Sequence, residues 1–281
     1  MTDRKGRLLA VLMFSLILLI GLTACGTADT SDAEGSGSGG TGNAESSASG
    51  DGDNGLKDTY VVASDTSFVP FEFKENGEYV GFDIDLINAI ADEVGFDIDL
   101  KTTNFDGIIP GLQTGSFDMA IAGISIKEDR KQKVDFSDPY YESGLRIGVP
   151  IDNDTINGIK DLEGKTIATR LGSTSSDFIK ENIEGAIPNE YEQLDQAYLA
   201  VENGSADAIL YDAPNVAYYI QTKGKDTLKM VGDLYQAENY GIAFAKGQGE
   251  LVEKVNDALA TLKENGTYDE IYEKWFGETP N

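Results

Sequence analysis

Several charged and hydroxyl side chains stand just past short apolar runs, where a strand would end. Asp65 follows Tyr60-Val-Val-Ala-Ser64. Ser125 follows Phe117–Ile124, with Arg130 five residues further on. Arg170 closes the run from Lys165 and leads into Gly172-Ser173-Thr174, and Asp212 follows Ala206–Tyr211. A guanidinium offers a planar two-pronged donor set to a carboxylate, and a carboxylate accepts from an ammonium, so fixed groups of both signs can hold a zwitterion. Each residue also has a plainer reading. Asp65 and Asp212 serve equally well as turn residues, and Lys127 to Lys133 (KEDRKQK) reads as a solvated charge run. Ser125-Ile-Lys-Glu128 fits a capping box, and Ser175 or Ser176 suits the start of a helix after Gly172. Such helix starts present free N–H groups and a positive dipole end to an anion. Phe68 and Phe105 read as core aromatics.

The composition removes much other chemistry. The 281 residues contain no histidine, which excludes imidazole general bases, Ser-His-Asp triads and His-based metal sites. One cysteine makes no internal disulfide and no thiolate cluster. With 22 Lys+Arg against 49 Asp+Glu, the net charge of -27 repels phosphate backbones, so no nucleic-acid partner is expected.

The elements that must position these side chains alternate in type. Strand-like runs occupy Tyr60–Ser64, Phe96–Leu100, Phe117–Ile124, Lys165–Arg170, Ala206–Tyr211 and Gly241–Ala245. Helical spacing links Leu86, Ala89, Ile90 and Val94 before Gly95. It recurs over Ile108–Gln113, with Pro110 read as lying in an early turn, over Asp177–Asn182 and Asn215–Gln221, and from Leu251 through Leu262 to Asn265-Gly266. This alternation predicts an α/β fold with mainly parallel sheets. In such sheets ligands bind beyond the carboxyl ends of the strands, the location these candidate residues share.

The amino terminus reads as an address. Arg4, Lys5 and Arg7 precede the apolar run Leu8–Leu22, which is shorter than the roughly 20 residues of a spanning helix. Leu22-Thr-Ala-Cys25 resembles the lipobox of bacterial lipoproteins, which implies a signal peptide over 1–24 and acylation of Cys25. The Gly/Ser/Asp-rich stretch that follows cannot build a core, so 25–57 is expected to be a flexible tether with an end-to-end distance of roughly 30 Å. The folded part is then held at the cell membrane, facing the extracellular or periplasmic side.

Taken in order, the folded part resembles the extracellular solute-binding proteins of polar amino-acid ABC importers. The resemblance rests on Ala63-Ser-Asp-Thr-Ser-Phe-Val-Pro-Phe-Glu-Phe73, Gly81-Phe-Asp-Ile-Asp-Leu86 and Phe105-Asp-Gly-Ile-Ile-Pro-Gly-Leu-Gln-Thr114. It continues through Ala122-Gly-Ile-Ser-Ile126, Arg130, Val134-Asp-Phe-Ser-Asp-Pro-Tyr-Tyr141 and Glu264-Asn-Gly-Thr-Tyr-Asp-Glu-Ile-Tyr-Glu-Lys-Trp-Phe276. It implies two α/β lobes with a ligand cleft between them. Lobe 1 would be 58–139 plus 241–281 and lobe 2 145–235, with hinges near 140–144 and 236–240.

Carried onto this chain, the family pattern assigns the α-carboxylate to Arg130 and to backbone N–H groups at Ser125 and Thr174. Asp212, the Ser125 hydroxyl and the Gly123 carbonyl take the α-ammonium, and Phe68 and Phe105 sandwich the aliphatic stem. Asp65 and Arg170 fall at the side-chain end, where an acceptor and a donor suit the carboxamide of glutamine. The glutamine-binding members carry lysine at position 170, histidine at 211 and glycine at 174, where this chain has Arg170, Tyr211 and Thr174. Glutamate, arginine or another polar amino acid is the alternative ligand. A dehydratase-like enzyme and a surface adhesin are alternatives of another class. The resemblance implies a monomeric binding protein, not an enzyme, with no cofactor or metal and with ABC permease subunits as partners.

Overall fold

A computed structural model describes residues 56–277 and Pro280; the predicted signal peptide, Cys25 and nearly all of the tether lie outside the described residues. The chain begins with β1 (Thr59–Ser64), a three-stranded meander of β2 (Ser67–Phe68), β3 (Glu72–Glu75) and β4 (Glu78–Val80), and helix α1 (Phe82–Val94). It continues through β5 (Asp97–Thr102), α2 (Phe105–Gln113), β6 (Met119–Ala120), α3 (Glu128–Lys131) and β7 (Asp135–Phe136). A second set follows: β8 (Tyr141–Pro150), β9 (Thr166–Arg170), α4 (Thr174–Asn182), β10 (Ile187–Tyr191), α5 (Leu194–Glu202), β11 (Ala208–Asp212), α6 (Ala213–Thr222) and β12 (Leu228–Tyr240). The chain then returns with β13 (Ala243–Phe244), α7 (Gly249–Glu264) and α8 (Thr267–Phe276).

The strands form two five-stranded sheets, ordered β5-β1-β6-β13-β7 and β10-β9-β11-β8-β12, one per lobe. Each is mixed rather than mainly parallel. In the first, β5, β1 and β6 are parallel while β13 runs antiparallel to both neighbours. In the second, β8 is antiparallel to β11 and to β12. The cause is the crossing of the chain between lobes: β7 leads from the first sheet into β8 of the second, and β12 leads back into β13. At the crossing β8 and β12 pair with each other, Tyr141 opposite Tyr240 and Ser143 opposite Glu238. Their register shifts between Val231 and Tyr235 and again between Tyr235 and Glu238, and Gln236 holds a φ of 44° there. An extra residue of this kind bends and twists a strand locally.

Apolar spacing explains the covering helices. Leu251, Val255, Leu259 and Leu262 give α7 one buried face, and Ile84, Leu86, Ile87, Ile90 and Ala91 do the same for α1. Gly95 ends α1 in the left-handed conformation that favours glycine, its N–H returning to the Ala91 carbonyl at 2.8 Å. Helix α2 starts at Phe105, so Pro110 stands in its interior and not in an early turn.

The two crossing strands are held at one end by an aromatic cluster. The Tyr141 ring stacks on Tyr240, centroids 5.6 Å apart, and on Tyr272 of α8 at 5.9 Å. Phe71, Phe82 and Phe276 pack around them, and the Tyr268 hydroxyl donates to the Tyr140 carbonyl at 2.6 Å. Among the described residues no helix is long and apolar enough to cross a membrane.

Candidate ligand cleft

Strand geometry brings the predicted residues to one place. Asp65 lies directly beyond β1, and Arg170 and Asp212 are the last residues of β9 and β11. On the same side as Asp65, the loop after β6 carries Gly123 and Ser125, and α3 carries Arg130. Thr174 opens α4. All the polar members are nearly closed to solvent: Asp65 and Arg170 are each 1% exposed, Ser125 and Thr174 2%, Asp212 4% and Arg130 6%. Charges withdrawn this far from water must be paired or hydrogen-bonded.

Arg130 belongs to the run that composition alone reads as solvated, yet its guanidinium turns inward. Its Nη1 donates to the Ser125 carbonyl at 3.1 Å, and its Nη2 reaches the Gly172 carbonyl of the other lobe at 3.2 Å. Burial pulls its pKa below the usual arginine range, and Glu238 is foremost among the carboxylates that oppose this. Phe105 lies beneath both arginines, its ring centroid 5.5 Å from the Arg130 guanidinium carbon and 5.2 Å from that of Arg170. Cations over a ring face gain from its quadrupole, more so where water is excluded.

Across the cleft Arg170 Nη1 meets Asp65 Oδ2 at 2.5 Å. Against the penalty of burial, Tyr211 and Asp65 together hold the Arg170 guanidinium above its ordinary range. Phe68 stands edge-on to Tyr211 at 5.8 Å and stacks on Phe71 at 4.8 Å. Its ring also covers Gly123, whose φ of 54° and whose neighbour Phe68 Cε1, 2.2 Å from where a Cβ would stand, leave room for glycine alone. A cavity of about 240 Å³ opens beside Phe105, Arg130, Gly172 and Asp177.

The structure corrects two capping expectations. Ser125 does not cap α3, whose first flanking residue is Lys127 with no side-chain cap. The Ser125 hydroxyl instead lies 3.5 Å from that of Thr174, across the cleft. Helix α4 is capped by Ser173, which accepts from the Ser176 N–H at 3.3 Å, and not by Ser175 or Ser176.

Two site residues were not identified from the sequence. Glu238 of β12 accepts a hydrogen bond from the Thr174 hydroxyl at 3.1 Å, and Ser125 lies near enough to oppose the upward push of burial on its carboxyl. Tyr240, two residues along the same strand, donates its hydroxyl to Asp212 Oδ2. Burial, with Glu238 next in effect, pushes the Asp212 carboxyl well above its ordinary range. Alternation in Gln236-Ala-Glu-Asn-Tyr240 puts positions 238 and 240 on one face of a strand, and that was the available signal.

A further buried pair lies behind Gly123. Asp83 Oδ2 accepts from the Gly123 N–H and from the Tyr140 hydroxyl, each at 2.8 Å. Both oxygens of Glu72 and Asp83 Oδ1 have no protein N–H or O–H donor, and the two carboxyls face each other in an apolar setting. Burial, followed by the charge of Asp83, pushes Glu72 well above the carboxylate range, and burial pushes Asp83 up to about 7.

Residues 60–278 match the profile of bacterial extracellular solute-binding proteins, family 3. The chain is 33% identical over 221 residues to the L-cystine-binding protein TcyJ of Escherichia coli (strain K12), covering 78% of this chain and 83% of that protein. It is 32% identical over 280 residues to the ABC transporter glutamine-binding protein GlnH of Bacillus subtilis (strain 168), covering 98% of both. Among solved structures, an ancestral arginine-binding protein bound to glutamine is 44% identical, with a TM-score of 0.76 over 79% of this chain and 100% of that one.

Proposed function

From the premise that this chain belongs to the bacterial extracellular solute-binding proteins of family 3, we propose that it captures a polar L-amino acid, foremost glutamine, and delivers it to an ABC permease. Binding and release, not chemical conversion, are its work, as in the relatives. Arg130 takes the α-carboxylate with the backbone N–H groups of Ser125 and Thr174. Asp212 takes the α-ammonium with the Ser125 hydroxyl and the Gly123 carbonyl, while Phe68 and Phe105 flank the stem. Because Arg130 and Asp212 belong to opposite lobes, a zwitterion stabilises the closed form over the open one.

The observation that carries glutamine is the buried Asp65–Arg170 pair, which is neutral as a unit and offers an acceptor and donors side by side. A carboxamide needs both. A γ-carboxylate meets Asp65 as a like charge, at a cost of several kcal/mol once desolvated. The second reading, arginine, rests on three carboxylates (Asp65, Asp212 and Glu238) facing two guanidiniums. Arg170 stands against it.

The lobes are taken as 58–139 plus 241–281 and 145–235, hinged near 140–144 and 236–240. Acylation of Cys25 anchors the monomer to the cell membrane. The test is calorimetry on protein denatured and refolded to strip any ligand, titrated with glutamine, glutamate, arginine, histidine and cystine. Glutamine binding at least about tenfold tighter than glutamate, or 1.4 kcal/mol, is expected. Tight binding of a different amino acid replaces the side-chain assignment, and binding of none overturns the function.

A further inference from the structure

The ammonium end of the cleft is richer in acceptors than the family pattern requires. Asp212 Oδ1 and Glu238 Oε2 are both shut off from solvent, and neither has a hydrogen-bond partner. Their companion oxygens are occupied: Asp212 Oδ2 accepts from Tyr240, and Glu238 Oε1 from Thr174. Leaving a buried carboxylate oxygen unpaired costs about 1–3 kcal/mol or more, so two together call for a donor. A primary ammonium has three N–H donors on one small, positively charged centre. The surroundings fix where it sits. Thr174 holds Glu238 from the lobe 2 side, and Ser125, Arg130 and Lys127 act on it from the lobe 1 side. Asp212 and Tyr240 flank it from β11 and from its own strand. On its other side Glu238 lines a cavity of about 770 Å³ together with Glu142 and Arg146.

We propose that Glu238, a residue of the crossing strand and of neither lobe's loops, is a second carboxylate ligand for the α-ammonium. It makes the site specific for an unmodified primary amine. This rests on the amino-acid-binding reading above and deepens it. Asp212 and Glu238 oppose each other as like charges in a buried setting, so without a cation at their free oxygens the pair retains a proton. The incoming ammonium displaces it. The charge balances: one monocation enters, one proton leaves, and the proton passes to bulk buffer through the cavity that Glu238 lines. Burial raises both carboxyls, in line with this order of events.

The experiment is calorimetric titration of the purified protein with glutamine in buffers of differing ionisation enthalpy, between about pH 5 and about pH 8. The slope of heat against buffer enthalpy counts protons released. The wild type is expected to release up to about one proton per ligand on the acidic side of this range, falling toward none on the alkaline side. E238Q is expected to bind at least about tenfold more weakly and to release fewer protons, because the neutral amide cannot share one. E238D keeps a carboxylate and is expected to bind more weakly with proton release retained; it serves where E238Q does not fold. Zero proton release by the wild type across the range overturns the proposal. So does an E238Q variant that binds as tightly as wild type, and so does one that weakens yet releases the same protons, since Glu238 then only braces the hinge. A wild type that binds no amino acid overturns the reading beneath, a result distinct from all three.

Discussion

Replacing Asp65 with asparagine keeps the shape of the side chain and removes its charge. In the intact cleft Asp65 and Arg170 are each 1% exposed and 2.5 Å apart. Without the carboxylate, Arg170 keeps hydrogen bonds only to neutral groups, the Glu192 carbonyl at 3.4 Å and the Tyr211 ring hydroxyl, with Asp212 and Glu72 acting on it electrostatically without a direct ion pair. Breaking a buried pair from one side costs about 3–5 kcal/mol, because a charge is left buried without compensation. For a folded part of this size each kcal/mol moves the melting temperature by about 2–4 °C, so Asp65→Asn is expected to lower it by about 6–20 °C. Ligands then separate the readings. Glutamate brings the missing anion to Arg170, whereas glutamine brings a dipole. Saturation at a hundredfold excess over Kd returns about 2.7 kcal/mol to any ligand, so the two are compared at equal multiples of their own Kd and their affinities by titration. The glutamate-to-glutamine affinity ratio is expected to rise by about tenfold or more, equal to 1.4 kcal/mol. Scanning calorimetry and titration calorimetry read the two quantities. A melting temperature lowered by less than about 4 °C, together with an unchanged ratio, refutes the placement of this pair at the side-chain end.

Arg130→Ala is expected to weaken every amino acid by at least about thirtyfold, since the α-carboxylate loses a desolvated charged partner worth about 2–5 kcal/mol; titration with retained affinity sinks the clamp. The Glu72–Asp83 pair predicts a stability profile. With Asp83 raised to about 7, the folded protein holds a proton that the unfolded chain has already lost between its ordinary value and about 7. Stability therefore falls as pH rises through that window. The melting temperature is expected to climb from about pH 8 down to about pH 5, and Asp83→Asn is expected to flatten the slope; an unaltered slope removes this pair as its source. Cys25→Ser is expected to release the protein from membranes on fractionation, and retention would argue against acylation there.

Asp65, Arg170 and Asp212 were legible because a polar residue just past an apolar run marks a strand end, and strand ends in α/β sheets face clefts. Their convergence was not legible from spacing, because it depends on two sheets meeting across a crossing. Arg130 shows the limit most sharply. It sits among Lys127, Lys131 and Lys133, and local pattern reads the run as solvated. Only a pocket formed by Phe105 and the Gly172 carbonyl from distant parts of the chain draws it in. Glu238 was hidden for a related reason, since its neighbours Ala237 and Asn239 are exposed and the strand end looks like surface. Glu72 and Asp83 fall within quoted stretches, but nothing in their spacing tells that two acids 11 positions apart will share an apolar pocket. The mixed sheets were missed because β8 and β12 are returns dictated by the crossing, not by the alternation of strand and helix.

The aromatic cluster around Tyr141 and Tyr240 has a mechanical consequence. These rings are tied to Tyr272, Phe276, Phe71 and Phe82, so the pivot is bolted to one arm of the lever. Compliance is left on the far side, where the register of β12 slips around Tyr235 and Gln236. Opening is expected to swing the β8–β12 arm against a frame that includes α8. Trp275, the sole tryptophan of the chain, belongs to that frame, its indole N–H fixed to Asp85 at 2.6 Å and its ring against Phe73. Its emission is expected to stay constant through the swing, so that a dye attached to the moving arm can be read against it without a second internal standard.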